Sequence, residues 1–254
     1  MYRPRIIPVL LLRDSGLVKS TKFKKHRYIG DPINAVKIFN DLEADELVFI
    51  DIDATIQNRC ISLDFVRDVG EEANMPFSVG GGISTIKQIK SIIEAGAEKV
   101  ILNTIACENP AFVSEAAAEF GSSTIVVCID VRKNFWGKEY VWYRQGKKNL
   151  ALSPEQFSLQ MEQAGAGEII LQSIEKDGTM SGYDADLIKR VSSVLTIPIT
   201  VLGGAKDLND MRKIHKDTTV NGLAAGSLFV YHGERKAVLV NYPVLEEKLN
   251  VLRK

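Results

Sequence analysis

The feature that most constrains this sequence is a long-range repeat. PFSVGGGIST (76–85) has a second copy, PITVLGGAKD, at 198–207. Aligning Gly81-Gly82 with Gly203-Gly204 sets an offset of 122 residues. Two further pairs of segments fall into the same register: 46–49 over 168–171, and 103–104 over 225–226. Three matches in one register indicate a duplicated half-chain.

Each copy is an apolar run that ends in glycines and is followed by a helical pattern. This pattern predicts a buried parallel strand that enters a helix through a tight turn. Glycines let backbone N–H groups approach an anion, and a helix N-terminus favours negative charge. We interpret the repeat as one phosphate cradle in each half. The alternative is an ordinary strand-to-helix turn.

Apolar periodicity predicts eight strands that alternate with eight helices. The strands fall near 5–12, 46–52, 75–80, 99–103, 124–130, 168–172, 197–202 and 220–225. The helices fall near 32–43, 62–73, 84–95, 110–119, 153–164, 184–194, 206–215 and after 243. Alternation within two equal halves favours a closed (β/α)8 TIM barrel in a single domain, residues 1–254. An open doubly wound sheet is the alternative, but its G-x-G-x-x-G fingerprint is missing after the first strand.

The composition limits the classes of binding partner and the cellular compartment that we expect. The net charge is zero, without long charged runs, so we expect no nucleic acid or membrane-surface binding. The apolar run 6–12 is too short to span a membrane. The cysteines form no C-x-x-C pair and the histidines show no metal-ligand spacing: Cys60, Cys107, Cys128, His26, His215 and His232. We expect a cytoplasmic protein with reduced thiols, no structural metal and no cofactor.

Two connections are unusually long. Segment 13–30 follows the first strand and is rich in lysine, and segment 131–152 follows the fifth. Residues 135–149 alternate like a hairpin around Gly137. Both connections follow strands at equivalent places in the two halves, where barrels carry their chemistry.

Seven motifs along the chain resemble the cyclase subunit of imidazole glycerol phosphate synthase, a (β/α)8 barrel of histidine biosynthesis. They are RII (5–7), DELVFIDID (45–53), PFSVGGGI (76–83), ILNTIACENP (101–110), IVVCID (125–130), KDGTMSGYD (176–184) and GLAAGSLF (222–229). The resemblance covers essentially the whole chain.

The resemblance implies two phosphate sites at the mouth of the barrel. One consists of Gly81, Gly82, Asn103 and Thr104, and the other of Asp177, Gly178, Gly203, Gly204, Ala225, Gly226 and Ser227. Lys19, on the first long connection, would close over the ligand. Two such sites suit a phosphorylated or nucleotide-linked small molecule.

The resemblance also implies a glutaminase partner on the amino-terminal face, supplying ammonia through a ring of charged residues. Arg5, Glu46, Lys99 and Glu168 match the four ring positions, and each begins a predicted strand. All four would then project near the barrel floor, where two cations and two anions can pair. The alternative is a structural salt-bridge cluster that plugs the floor.

The resemblance breaks at the centre of the site. The cyclase uses two aspartates, which end its first and fifth strands, as general acid and general base. Asp130 occupies the fifth-strand position, but Leu11 occupies the first. Losing one acid–base partner typically costs about 10²–10⁴-fold in rate. Asp51 and Asp53 end the second predicted strand on one face and offer another acid, although Asp53 could instead cap a helix or pair with a loop lysine.

These departures resemble cyclase-like proteins of surface-polysaccharide gene clusters. The segments that carry this likeness are PVLLLR (8–13), KFKKHRYIGDPINAV (22–36) and FVYHGERKAVLVNYP (229–243). That likeness implies an amidotransferase complex with a glutaminase and a third, sugar-modifying protein, which together form acetamidino sugars. A cyclase with a relocated acid and a non-catalytic scaffold are the alternatives.

Overall fold

The computed structural model describes residues 4–233 and 235–253. Residues 1–3, 234 and 254 lie outside this description. The predicted domain, 1–254, includes all of them, and the 229–243 motif includes residue 234. The strands, in chain order, are β1 (Arg5–Arg13), β2 (Gly16–Thr21), β3 (Lys24–Gly30), β4 (Leu47–Asp51), β5 (Phe77–Gly80), β6 (Lys99–Leu102), β7 (Ile125–Lys133), β8 (Glu139–Tyr143), β9 (Lys148–Asn149), β10 (Glu168–Ser173), β11 (Ile199–Leu202), β12 (Gly222–Ala225), β13 (Tyr231–His232) and β14 (Ala237–Val238). The helices are α1 (Pro32–Asp41), α2 (Leu63–Glu72), α3 (Ile86–Glu94), α4 (Thr104–Glu108), α5 (Pro110–Phe120), α6 (Pro154–Gln163), α7 (Ala185–Ser192), α8 (Leu208–Asp217) and α9 (Leu245–Leu252).

Eight of these strands close into a parallel barrel. Each pairs in parallel with the next in the order β1, β4, β5, β6, β7, β10, β11 and β12, and β12 pairs back onto β1. The predicted (β/α)8 barrel is confirmed, and all eight predicted strands and eight predicted helices lie within a few residues of their expected bounds. The glycine repeats follow β5 and β11, which occupy equivalent places in the two halves.

Six of the helices, α1, α2, α3, α6, α7 and α8, begin at a residue whose side chain caps the first turn. Asp31 accepts a hydrogen bond from the Asn34 amide and is followed by Pro32 at the first helical position of α1. Thr85 and Gln88 form a reciprocal capping box at the start of α3. Such caps satisfy the first amides of a helix, which have no partner within it. These caps fix the residue at which each of these helices begins.

The core has two layers. The outer layer lies between strands and helices and contains large buried rings such as Phe39, Phe49 and Phe157. The inner layer fills the barrel with small and branched side chains: Ile7, Val9, Val48, Ile101, Val126, Cys128, Ile170 and Ala224. Leu11, Ile50 and Leu202 pack on this inner layer. The barrel is therefore apolar between its floor and its mouth.

The two long connections fold into β-structure at the mouth. β2 pairs antiparallel with β1, and β3 with β2. β7 continues beyond the barrel and pairs with β8 across the turn 134–138, which confirms the predicted hairpin around Gly137. The two connections contact each other: the Phe23 ring lies 3.5 Å from the position that a Cβ on Gly146 would occupy.

Candidate functional site

A cavity of about 160 Å³ opens at the carboxyl ends of the barrel strands. All eleven residues predicted to form the two phosphate sites line it: Gly81, Gly82, Asn103, Thr104, Asp177, Gly178, Gly203, Gly204, Ala225, Gly226 and Ser227. The fold thus brings together segments that lie far apart in sequence. Their assignment as phosphate ligands stays a prediction.

The glycine turns admit no side chain. Gly82 has φ +63°, and a Cβ there would stand 1.8 Å from the carbonyl oxygen of Arg59. Gly204 has φ +100°, and its Cβ would stand 2.4 Å from the carbonyl oxygen of Gly182. Real Cβ atoms do not approach this closely, and positive φ disfavours other residues. The backbone at both turns is therefore held against a neighbouring loop and open toward the cavity.

Asp130 lies on β7 and reaches the cavity from a buried position. Its carboxylate accepts a hydrogen bond of 3.3 Å from Asn103 Nδ2 and lies 3.7 Å from Cys128 Sγ. Desolvation raises the pKa of Asp130 to about 7, because the two hydrogen bonds offset only part of the burial and nearby Asp177 also disfavours the charged form. A carboxyl group with this pKa can donate or accept a proton at neutral pH.

Lys19 also points into the cavity, from β2 rather than from an irregular loop. Its ammonium donates to the carbonyl oxygen of Val9, and its Nζ lies 2.4 Å from where a Cβ on Gly226 would stand. Desolvation lowers the pKa of Lys19 to about 8, although the Asp177 carboxylate favours the charged form. Lys19 is buried on a strand, so its expected place on an irregular loop is corrected. Its closure over a ligand stays a prediction.

Leu11 faces the same cavity. Its backbone is paired with Ile50 on β4 and with Val18 on β2, and its side chain packs on the inner core layer. It lines the cavity together with Asp130. A hydrocarbon therefore stands at the position where the family resemblance led us to expect a carboxylate.

The expectation for Asp51 and Asp53 needs correction. β4 ends at Asp51, so Asp53 lies in the following turn and strand alternation does not place the two on one face. Asp53 pairs with Arg13 (3.1 Å) and is absent from the cavity lining. It does not cap the following helix, whose cap is Ser62, and its cationic partner is an arginine instead of a lysine.

Asp51 does line the cavity, but its carboxylate is fully engaged. Arg59 contacts both oxygens, at 2.5 Å and 3.3 Å, and the amides of Asp53 and Ala54 each donate to Oδ1 at 3.1 Å. This environment supports a structural role in the turn more than proton transfer.

The four predicted ring residues meet at the barrel floor. Arg5 pairs with Glu46 and, at 2.6 Å, with Glu168, and Lys99 lies 2.9 Å from Glu168 and 3.6 Å from Glu46. Ser78 and Thr200 add hydroxyl donors to the two glutamates. Three of the four residues begin barrel strands and Glu46 immediately precedes β4. Cations and anions therefore alternate around the floor.

Glu168 is buried within this ring. Desolvation raises its pKa, but the charges of Arg5 and Lys99 and the Thr200 hydrogen bond outweigh burial, so the net pKa lies below its ordinary value. Ring pairing thus holds the glutamate ionised. The same contacts fit both a structural plug and a charged inlet.

Two contributors were missed by the sequence reasoning. The Arg59 guanidinium pairs with the Asp51 carboxylate, and the Arg59 carbonyl oxygen lies against the Gly82 turn. Gln145, on the second hairpin, lines the cavity and donates to the carbonyl of Ile52. Neither lies in a repeat, so only the folded chain reveals them.

Within the described ranges, no group of three His, Cys, Asp or Glu side chains is placed to hold a metal ion. No helix in that part of the chain is long and apolar enough to cross a membrane.

Replacing Asp130 with Asn should stabilise the fold. The gain in free energy of unfolding over wild type should increase as pH rises from about 4 to 7 and stay constant above pH 7. The folded-state pKa is raised, so the favourable protonated form is lost as pH increases through about 7. The ionised carboxylate then destabilises the folded state by about 1.4 kcal/mol for each unit of pKa difference. Urea unfolding of both proteins from pH 4 to 8 measures this, and a pH-independent difference would contradict it.

Comparison with known proteins adds relatives. A family model described as "Histidine biosynthesis protein" matches residues 5–236. The chain is 45% identical over 249 residues, 98% of each chain, to a Leptospira interrogans protein provisionally named imidazole glycerol phosphate synthase subunit HisF. It is 43% identical over 243 residues to a Pseudomonas aeruginosa protein provisionally named hisF2, covering 96% of this chain and 97% of the relative. It is 37% identical over 250 residues to the Alkaliphilus metalliredigens subunit HisF, covering 98% and 97%.

Proposed function

The chain belongs to the HisF-like family of imidazole glycerol phosphate synthase cyclase subunits, and from that premise we propose that it is the barrel subunit of a glutamine-dependent amidotransferase complex. It receives ammonia from a glutaminase at its amino-terminal face. It passes the ammonia on for the formation of acetamidino sugars in surface-polysaccharide biosynthesis. Its place of action is the cytoplasm.

The observation that carries this proposal is Leu11. The side chain lines the cavity that also contains Asp130, and it has no titratable group. A reaction that needs an acid and a base on opposite sides of the pocket loses one of them. An ammonia relay needs neither at that position.

The apolar lining of the barrel interior favours a neutral molecule over an ion. The charged floor ring lies at one end and the mouth at the other, and the side chains between them are apolar. Burying an ammonium ion in such surroundings is costly unless it is paired, whereas neutral ammonia has no net charge to desolvate. The lowered pKa of Lys19, whose main cause is desolvation, reflects the same preference for neutral amines.

Two groups of relatives differ in their identity to this chain. The provisionally named relatives share 43–46% identity with this chain, and two of their names carry the numbers hisF2 and hisF3. The relatives named without reservation share 37–38%. This difference fits a subgroup that has diverged from the cyclase.

The test is reconstitution with the glutaminase and the sugar-modifying protein. Mass spectrometry should detect a glutamine-dependent acetamidino sugar only when all three proteins are present. The cavity would hold a phosphorylated or nucleotide-linked ligand against the two glycine turns. Absence of the product from the complete mixture would contradict the proposal.

A second candidate is the cyclase subunit of imidazole glycerol phosphate synthase itself. It is favoured by Asp130, whose pKa of about 7 suits acid–base catalysis, and by the names of the relatives at 37% identity. In that case the chain would restore growth of a histidine auxotroph that lacks its own cyclase. We expect no such growth.

A further inference from the structure

The tip of the second hairpin exposes the two most solvent-accessible aromatic side chains of the described chain. Phe135 is 94% exposed and Trp136 is 84% exposed, and their rings contact each other edge to face at 5.5 Å. Exposed single apolar residues are common, but an adjacent Phe-Trp pair is a large apolar surface to leave in water.

The tip is a turn closed by hydrogen bonds. The Asn134 carboxamide accepts from the amides of Trp136 and Lys138, each at 2.9 Å. The Asn134 amide donates to the Lys138 carbonyl at 2.8 Å, and Gly137 supplies the positive φ that closes the turn. The two rings thus lie on a hydrogen-bonded turn, and a preorganised turn reduces the entropy lost when a partner binds.

The base of the hairpin is fixed to the barrel. Arg132 stacks on Trp142, 3.9 Å from the ring centroid, and donates to the Gly146 carbonyl at 2.8 Å. Arg144 holds Glu108 on α4 with two hydrogen bonds. The tip therefore projects from the mouth at a defined position beside the cavity.

The two long connections at the mouth carry an excess of cations, although the whole chain is neutral. Residues 16–30 contain five Lys or Arg and no Asp or Glu, and residues 131–149 contain six with one Glu. In the described part of the chain, seven of these lysines form no ion pair, and six of the seven are exposed: Lys22, Lys24, Lys25, Lys138, Lys147 and Lys148. Lys148 pairs with Tyr143 at the other end of β8 from the tip, so Lys147 and Lys148 lie nearer the cavity than the aromatic pair does. Exposed cations without ion-pair partners complement an acidic surface.

We propose that the hairpin tip, Asn134–Lys138, together with the exposed lysines where the two long connections meet, docks the ammonia-accepting protein through an acidic face of that protein with an apolar pocket beside it. The inference rests on the proposed function, because ammonia that enters at the floor leaves at the mouth, where its acceptor must collect it. Phe135 and Trp136 are the anchors, since aromatic residues dominate the energetics of protein interfaces. The lysines steer the encounter.

The test measures binding of the acceptor protein to immobilised chain by biolayer interferometry. Phe135→Ser with Trp136→Ser should weaken affinity by at least about 30-fold. Lys147→Glu with Lys148→Glu should lower the association rate about tenfold and flatten its dependence on salt. The matched control is Leu245→Ser with Leu249→Ser, which removes apolar side chains 60% and 42% exposed on α9. This helix is held to the opposite end of the barrel by Lys248 and Asp45, so binding should not change.

Three outcomes would overturn the inference. They are equal affinity of wild type and the Phe135/Trp136 variant, absence of acceptor binding by wild type, and self-association of the chain through the tip in sedimentation velocity. Failure of the proposed function is recognised separately, as absence of glutamine-dependent product from a complex that still assembles. A fourth outcome would also contradict the inference. It is competition with the acceptor by a membrane or a nucleic acid that depends on charge alone and does not change when the aromatic pair is removed.

Discussion

Replacing Leu11 with Asp should raise cyclase turnover with ammonium salts by at least about tenfold, from a wild-type rate roughly 10²–10⁴-fold below that of a cyclase with both carboxylates. Leu11 lines the cavity that contains Asp130, so the new carboxyl group enters the pocket in which the retained acid–base group lies. The apolar side chains around position 11 would raise the pKa of that carboxyl group toward neutrality. The assay is steady-state formation of the cyclised product by purified protein.

Leu11→Asn is the matched control. It has nearly the same shape and polarity as Asp but cannot transfer a proton, so its turnover should stay at the wild-type level. Wild-type turnover equal to that of a cyclase with both aspartates would contradict the interpretation of Leu11. Equal gains from Asp and Asn would show that space in the pocket, not proton transfer, limits the reaction.

Replacing Glu168 with Gln should destabilise the fold by about 3 kcal/mol, because it leaves two partly buried cations with one anion to share. Glu168 pairs with Arg5 and Lys99 and accepts from Thr200. Its folded-state pKa is lowered, so its contribution is present above the unfolded pKa of about 4.3 and is lost as pH falls through the lower folded value. Urea unfolding at pH 7 and at decreasing pH measures both effects.

Glu94→Gln is the control for this variant. Glu94 forms an exposed helical pair with Lys90 at 3.9 Å, and such pairs contribute about 0.5 kcal/mol or less. If Glu168→Gln were as mild as Glu94→Gln, the floor ring would not contribute as a buried ion network. A ring variant that stays folded yet loses glutamine-dependent transfer would separate the inlet from the structural plug.

Much of the fold could be predicted because the signals were local and repeated. The glycine turns after β5 and β11 share an offset in sequence and occupy equivalent positions in the barrel. The family resemblance identified the floor-ring residues, and their convergence was expected because Arg5, Lys99 and Glu168 each begin a strand and the amino ends of parallel strands meet at one face. Strand order and closure then placed the eleven predicted phosphate residues around one cavity.

The errors came from side-chain partners that only tertiary structure defines. In the sequence Asp51 resembles an acid without a partner, but the side chain of Arg59, eight residues later, pairs with its carboxylate. Asp53 lies one turn beyond the strand and pairs with Arg13. Lys19 is buried because its segment forms β2 against β1. Such contacts depend on how two connections fold over the mouth, which strand periodicity does not encode.

The most direct test of an ammonia relay through this barrel is an isotope competition in the reconstituted complex. Glutamine with an isotopically labelled amide nitrogen is supplied together with a large excess of unlabelled ammonium, and mass spectrometry measures the label in the product. The account predicts that the transferred nitrogen carries the glutamine label despite the excess. Dilution of the label to the ratio of the bulk solution would contradict transfer from floor to mouth.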